Sequence, residues 1–203
     1  SVCDIDKEAG PSEVVVIADE KANPREVALE LLAQAEHDED ARAMLVVLSE
    51  QFYDKVAQAI DEEVRTLPRA TIIRKALDKN GEVYVVRNLD EAARLTNVIA
   101  PEHVSIQTEN PRAVFDQIEN VGCAVLGGGT SVAVGDYYAG PNHILPTGRK
   151  ARFSSPLTAE DFRKVTSIIS FSRERMASVA DAIMSLANAE QLQAHARAVE
   201  IRR

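Results

Sequence analysis

The sequence predicts an α/β protein: a mostly parallel sheet with flanking helices, followed by a helical C-terminal tail. Two observations carry this. Short β-branched runs recur through residues 1–126, and capped segments of helical period separate them. Strands that alternate with helices are joined by right-handed crossovers, which makes the sheet mostly parallel. Beyond residue 126 the alternation stops, and from residue 158 no strong strand signal returns.

Each element has its own reason. Residues 13–18 (EVVVIA) are apolar without alternation, which suits a strand buried on both faces. Asn23 and Pro24 open a helix over 24–36, with the cap residue before and proline at the first helical position. In that helix Val27, Leu31 and Gln34 share a side. Residues 43–48 (AMLVVL) form the second strand. Ser49 caps a helix running to about residue 66, with Glu50 in its favourable first turn. Pro68 separates it from a helix at 69–79 that ends at Asn80-Gly81. A strand at 82–86 (EVYVV), a helix at 89–98 and a strand at 104–107 (VSIQ) follow. A helix at 111–119 and a strand at 122–126 (GCAVL) complete the series.

Residues 127–157 are rich in glycine and proline and have no clear period. An irregular stretch of that length in a compact domain is usually functional. Residues 158–203 read as helices. The tripeptide Ala-Gly-Pro occurs at 9–11 and again at 139–141, in each case as a turn suited to bringing backbone close to a ligand.

Composition narrows the function. With 203 residues the chain makes one or two domains and buries enough surface to fold without disulfides or metal. Hydrophobic residues at 45% and charged residues at 27% exclude a disordered chain. The net charge of −9 opposes nucleic-acid binding, which needs clustered Lys and Arg. Aromatics are 4% and tryptophan is absent, so platforms for stacked bases are not expected. No apolar run approaches the ~20 residues of a membrane span. The segment SVCDIDKEAG lacks the layout of a secretory signal, and Cys3 and Cys123 form no disulfide framework. These features predict a cytoplasmic location with reduced thiols.

The four histidines each stand near a carboxylate or amide. Gln34 and His37 are three apart and share a helix face, which suits a metal pair; a helix end with a surface His is the plainer reading. Glu102-His103 follows Ala100-Pro101 at a break in helix, where a carboxylate beside an imidazole supplies two proton-transfer groups, or an ordinary polar loop. Asp136 lies in VGDYYAGPNH with His143 seven residues on, as ligand and donor or as a turn stabilised by Asp and Asn. Glu190 and His195, five apart, point to different faces if one helix carries both, which is also what an exposed helix shows. Gly127-Gly128-Gly129 does not give the G-x-G-x-x-G fingerprint and reads as a turn, not a phosphate cradle. Together Gln34, His37, Asp136 and His195 have the nitrogen and oxygen composition that suits zinc.

Six segments resemble the histidinol dehydrogenase family. They are AGPSEVVVIADE at 9–20, LLAQAEHD at 31–38, APEHVS at 100–105, VGDYYAGPNHILPT at 134–147, ARFSS at 151–155 and AEQLQAHARAVEIR at 189–202. The resemblance implies an incomplete Rossmann-like sheet, with a zinc- and substrate-binding domain at 1–157 and a helical dimerisation tail at 158–203. It implies zinc held by Gln34, His37, Asp136 and His195, and acid–base chemistry at Glu102 and His103. It implies substrate contacts at Ser12, His143 and Glu190, beside His103 and the zinc ligands. It implies a homodimer in which Glu190 and His195 complete the partner's site.

The implied reaction oxidises L-histidinol to L-histidine in two steps with NAD as hydride acceptor. Family members are about twice this length, and the NAD site is expected in the half that precedes this segment. A relative oxidising another small alcohol, such as a sulfonated diol, and a zinc-binding dimerisation module without turnover are the alternatives. Glu190 favours histidinol, because a carboxylate attracts an amine and repels an anion. An incomplete sheet also leaves an unpaired edge, which predicts dimers or larger species.

Overall fold

A computed structural model describes Cys3 and residues 5–203. The chain forms two compact units, Ser1–Phe162 and Arg163–Arg203.

The first unit is built on five parallel strands: β1 (Glu13–Ala18), β2 (Arg42–Val47), β3 (Glu82–Val85), β4 (His103–Gln107) and β5 (Cys123–Leu126). Their order across the sheet is β3-β2-β1-β4-β5. The chain therefore winds one way from β1 to β3 and the other way from β1 through β4 to β5. Each crossover carries helix: α1 (Pro24–Ala35), then α2 (Glu50–Glu63) with α3 (Ala70–Asn80), then α4 (Leu89–Ile99), then α5 (Pro111–Phe115). A short helix, α6 (Val132–Tyr137), follows β5.

The central strand explains the two-sided core. Val14, Val15, Val16, Ile17 and Ala18 of β1 have no exposed surface. Val14, Val16 and Ala18 pack in one cluster with Val27 and Leu31 of α1 and Phe52 and Val56 of α2. Val15 and Ile17 pack in a second cluster with Ala92 and Ala93 of α4 and Val114 of α5. The period of two along a strand sends neighbours to opposite faces, so a strand covered on both needs apolar residues throughout. A third cluster joins Leu32 and Ala35 of α1 to Ile73 and Ala76 of α3. At the edge, β3 alternates instead, with Val83 and Val85 exposed.

The expected caps are present. The Asn23 side chain accepts from the Arg25 N–H, and Ser49 Oγ accepts from the Phe52 N–H at 3.2 Å. At the end of α3, Gly81 sits where a Cβ would lie 2.4 Å from the Leu77 carbonyl oxygen, so close approach selects glycine there. Ala100, before Pro101, is fully buried and left-handed at φ 51°. Proline disfavours helical geometry in the residue before it, and a left-handed alanine costs about 1 kcal/mol. The break ahead of Glu102 and His103 is thus held by the surrounding packing.

Three expectations are corrected. The helix expected at 111–119 ends at Phe115, because Gln117 and Ile118 donate to Val114 and Phe115 in tighter turns that bring Ile118 into the core. The stretch 127–157 is not wholly irregular: Ser131 Oγ accepts from the Ala133 N–H and starts α6, which carries Asp136. Residues 163–172, expected in helix, are not helical. Val165, Thr166, Ile168 and Ile169 are β-branched and stiff at χ1, which lowers helix propensity there.

The second unit contains α7 (Arg173–Ala189), capped by Ser172, and α8 (Gln193–Glu200), and the two pack on each other. Among the described residues no helix is long and apolar enough to cross a membrane.

Candidate functional site

The site lies at the N-terminal edge of the sheet, where β1 and β4 are neighbours. Ser12 immediately precedes β1, and His103 is the first residue of β4, paired in register with Val14. Parallel α/β sheets usually bind ligands at the opposite, carboxyl edge. Here the crossover helices return side chains to the starting edge. Helix α1 runs back against the strands, so Gln34 near its end and His37 just past it arrive beside Ser12. Helix α6 runs back after β5 in the same way and brings Asp136.

These residues share one cavity of about 460 Å³. Ser12, Gln34, His37 and Asp136 line it together with Glu102, His103 and His143. Tyr137 lines it as well. Seven residues singled out in the sequence, from four separate segments, thus meet in one place. Glu102 and His143 also line a second cavity of about 280 Å³ with Gly10 and Thr147. The first Ala-Gly-Pro turn is close-packed there, since a Cβ on Gly10 would lie 2.5 Å from Thr147 Oγ1.

At the centre is His103, only 6% exposed. Its Nδ1 lies 3.5 Å from Glu102 Oε2, and its Nε2 lies 3.9 Å from Asp136 Oδ1. Glu102, itself 7% exposed, accepts the Glu13 backbone N–H on the same Oε2 at 2.9 Å. Its own carbonyl accepts from the Cys123 N–H, which ties it to β5. The His37 ring Nδ1 sits 3.3 Å from the Gln34 carbonyl oxygen. The Gln34 Nε2 and His103 Nδ1 are buried without a hydrogen-bond partner. A buried polar atom left without one costs about 1–3 kcal/mol, so this wall is shaped by something other than stability.

The negative character of the site reaches Cys123, whose thiol is pushed up from its usual 9.0 by burial, then by Asp136 and Glu102. It is a neutral thiol at physiological pH and not an activated nucleophile. The triple-glycine turn after β5 behaves as a turn. Gly127 is left-handed at φ 84°, and a Cβ on Gly128 would lie 2.7 Å from Glu26 Oε2. A carboxylate at that distance repels a phosphate.

Glu190 and His195 belong to the second unit and are exposed. They do not share a helix. Glu190 is the C-cap of α7, Gln191 turns left-handed at φ 60°, and His195 lies in α8. Among the described residues no three His, Cys, Asp or Glu are grouped closely enough to hold a metal ion. The first unit offers one imidazole, one amide and one carboxylate toward such an ion, from His37, Gln34 and Asp136. These donor types fit zinc, which takes nitrogen and oxygen ligands and completes four positions. The sequence reading missed Tyr137, although it adjoins Asp136 in GDYY, and it missed Glu13, whose signal is visible only once β1 and β4 are side by side.

Fold and cavity define a parallel α/β protein in which a buried imidazole stands between two carboxylates, beside an amide and two further imidazoles. The family model for histidinol dehydrogenase matches residues 1–203, and the chain belongs to that family. It is 48% identical to histidinol dehydrogenase of Halalkalibacterium halodurans over 199 residues, covering 98% of this chain and 47% of that protein. It is 46% identical to that of Listeria monocytogenes serovar 1/2a over the same shares. The crystal structure of histidinol dehydrogenase from Elizabethkingia anophelis superposes with a TM-score of 0.89 at 34% identity, covering 97% of this chain and 45% of that one. The chain spans about half the length of the curated relatives it matches.

Proposed function

We propose that this chain is the zinc- and substrate-binding part of an enzyme that oxidises L-histidinol through histidinaldehyde to L-histidine with NAD⁺. The observation that supports this is the convergence of Ser12, Gln34, His37, Glu102, His103, Asp136 and His143 on one cavity. In this reading NAD⁺ accepts a hydride in each of two oxidations, bound by a part of the enzyme outside this segment.

Gln34, His37 and Asp136 would hold zinc together with His195 of a second copy, and the metal would supply a Lewis acid that orients the substrate. His103 receives the alcohol proton on Nε2, the ring atom on the Asp136 side, as hydride leaves carbon. The ring needs to be neutral to do so. Glu102 then removes a proton from water as it adds to the aldehyde carbon, which readies the hydrate for the second hydride loss. The Glu13 N–H fixes one oxygen of that carboxylate while this occurs. Ser12 and His143 contact the substrate from the cavity wall. The 158–203 tail dimerises, and its Glu190 and His195 are offered to a second copy, Glu190 to the substrate amine.

The test is calorimetric titration of the zinc-loaded chain with L-histidinol, native against His37→Ala. Binding that needs both zinc and His37 is expected. Binding of equal strength without zinc, or equal binding by His37→Ala, overturns the reading. A titration with a sulfonated diol separates this substrate from the anionic alternative.

A further inference from the structure

Two helices supply the metal donors of the first unit, and something must set the distance between them. Gln34 and His37 come from the end of α1, and Asp136 comes from α6. Glu30 connects the two. It stands four residues before Gln34, on the same face of α1, and His37 follows just past the end of that helix. It is 6% exposed, and its Oε2 accepts the backbone N–H of Val132 at 3.0 Å. Val132 is the first residue of α6, and Asp136 lies one turn further on.

The surroundings make this an expensive arrangement. Val132, which Glu30 contacts, and its α1 neighbours Val27 and Leu31 are buried in one apolar cluster that also holds Val125 of β5. Among the described residues no lysine, arginine or histidine forms an ion pair with Glu30. A buried carboxylate without a cation carries a desolvation penalty that leucine of similar size would avoid. What the carboxylate gains is one charge-assisted bond to the open end of α6. Ser131 satisfies the neighbouring Ala133 N–H, so the first turn of α6 is gripped from both its own cap and from α1.

We infer that Glu30 is a positioning residue: it docks α6 on α1 and thereby sets where Asp136 stands relative to Gln34 and His37. The inference rests on the zinc reading above. Second-sphere partners of metal ligands typically govern 10–100-fold in metal affinity, and Glu30 acts in that capacity through the α6 backbone.

Three variants isolate the bond. Glu30→Leu keeps the volume and removes the acceptor, whereas Glu30→Gln keeps an acceptor oxygen. Val132→Pro removes the donor instead. Proline is favoured at the first helical position, and Ser131 is already extended at ψ 153°, as a residue before proline must be. Zinc affinity is measured by competition with a chromophoric chelator, and exchange of the Val132 amide by hydrogen–deuterium exchange. Glu30→Leu and Val132→Pro are expected to lose about 10–100-fold in zinc affinity. Glu30→Gln is expected to stay within about threefold of native and to keep the Val132 amide protected, while Glu30→Leu releases it.

Native zinc affinity in both Glu30→Leu and Val132→Pro overturns the positioning role while leaving the zinc reading intact. An equal loss in Glu30→Gln overturns it too, because charge and not the bond would then be responsible. A native chain that takes up no zinc overturns the zinc reading, and the positioning role falls with it. If Glu30→Leu does not fold, the comparison of Val132→Pro with Glu30→Gln decides.

Discussion

Glu13 and Glu102 are joined across the start of the sheet: the Glu13 backbone N–H donates to Glu102 Oε2 at 2.9 Å, on the side from which that oxygen also faces His103. The bond is made by backbone, so it holds the side chain at 102 whatever the protonation of Glu13. Glu102→Gln offers an amide oxygen to the same N–H and should keep the fold. On the proposed mechanism it also removes the base that activates water. In single-turnover experiments with the NAD⁺-bound enzyme, the second oxidation should slow by about 100-fold or more. The first NADH should form at close to the native rate. Equal slowing of both steps would show that Glu102 serves substrate binding and not water activation.

On the proposed zinc site, Gln34 trades stability for binding. Its Nε2 is buried without a partner, in a residue 3% exposed. Replacing such a group by an apolar one of similar size removes the cost, so Gln34→Leu should stabilise the metal-free chain by about 1 kcal/mol. Its zinc affinity should fall at the same time. Thermal unfolding without metal and chelator competition with it check the two directions. A lower melting temperature in the variant would mean that the amide serves the fold.

Much of this was legible in the sequence, for reasons that differ by element. The run Val14–Ala18 announced a doubly covered strand because every one of its positions is apolar, and Asn23 and Ser49 announced helix starts through their side-chain oxygens. The site residues were legible as types, since imidazoles beside carboxylates are few in a chain with four histidines. Their meeting was not legible, because it depends on α1 and α6 both running back to the same edge. Glu30 carries no local signal at all: in sequence it is an acidic residue within a helix, and its purpose appears only through an N–H 102 positions away. The stretch 163–172 departs from the helical reading of 158–203 because Val165, Thr166, Ile168 and Ile169 within it are stiff at χ1 and disfavour helix.

The two-sided core makes a sharp contrast between positions. Phe52, on α2, is 2% exposed and fills the cluster beneath Val16 and Val56. Phe52→Ala should cost about 3–5 kcal/mol, because the ring leaves a cavity between helix and sheet. Val83→Ala on the edge strand, where the side chain is 44% exposed, should change stability by about 0.5 kcal/mol or less. Urea unfolding of the two variants checks this. Similar midpoints would mean that α2 does not belong to the cooperative core.

Arg42 bridges neighbouring strands on the same edge as the site, with its guanidinium 3.3 Å from Glu13 Oε1 and 2.8 Å from Glu82 Oε1. The Tyr84 hydroxyl donates to the other oxygen of Glu82. Tyr84 first holds the Glu82 carboxyl below its usual 4.5; burial pulls it upward next, and Arg42 adds to the lowering. The folded state therefore releases this proton more readily than the unfolded chain. Its stabilising contribution is complete above about pH 4.5 and is lost as pH falls through the lower, folded value. Glu82 is 35% exposed, so solvent screening limits the effect to about 0.5 kcal/mol. Glu82→Gln should be less stable than native by that amount at neutral pH, and the two unfolding curves should converge in acid. Denaturant titrations across the acid range measure the gap directly. A gap that widens as pH falls would mean that protonated Glu82, not the carboxylate, is the form the fold prefers.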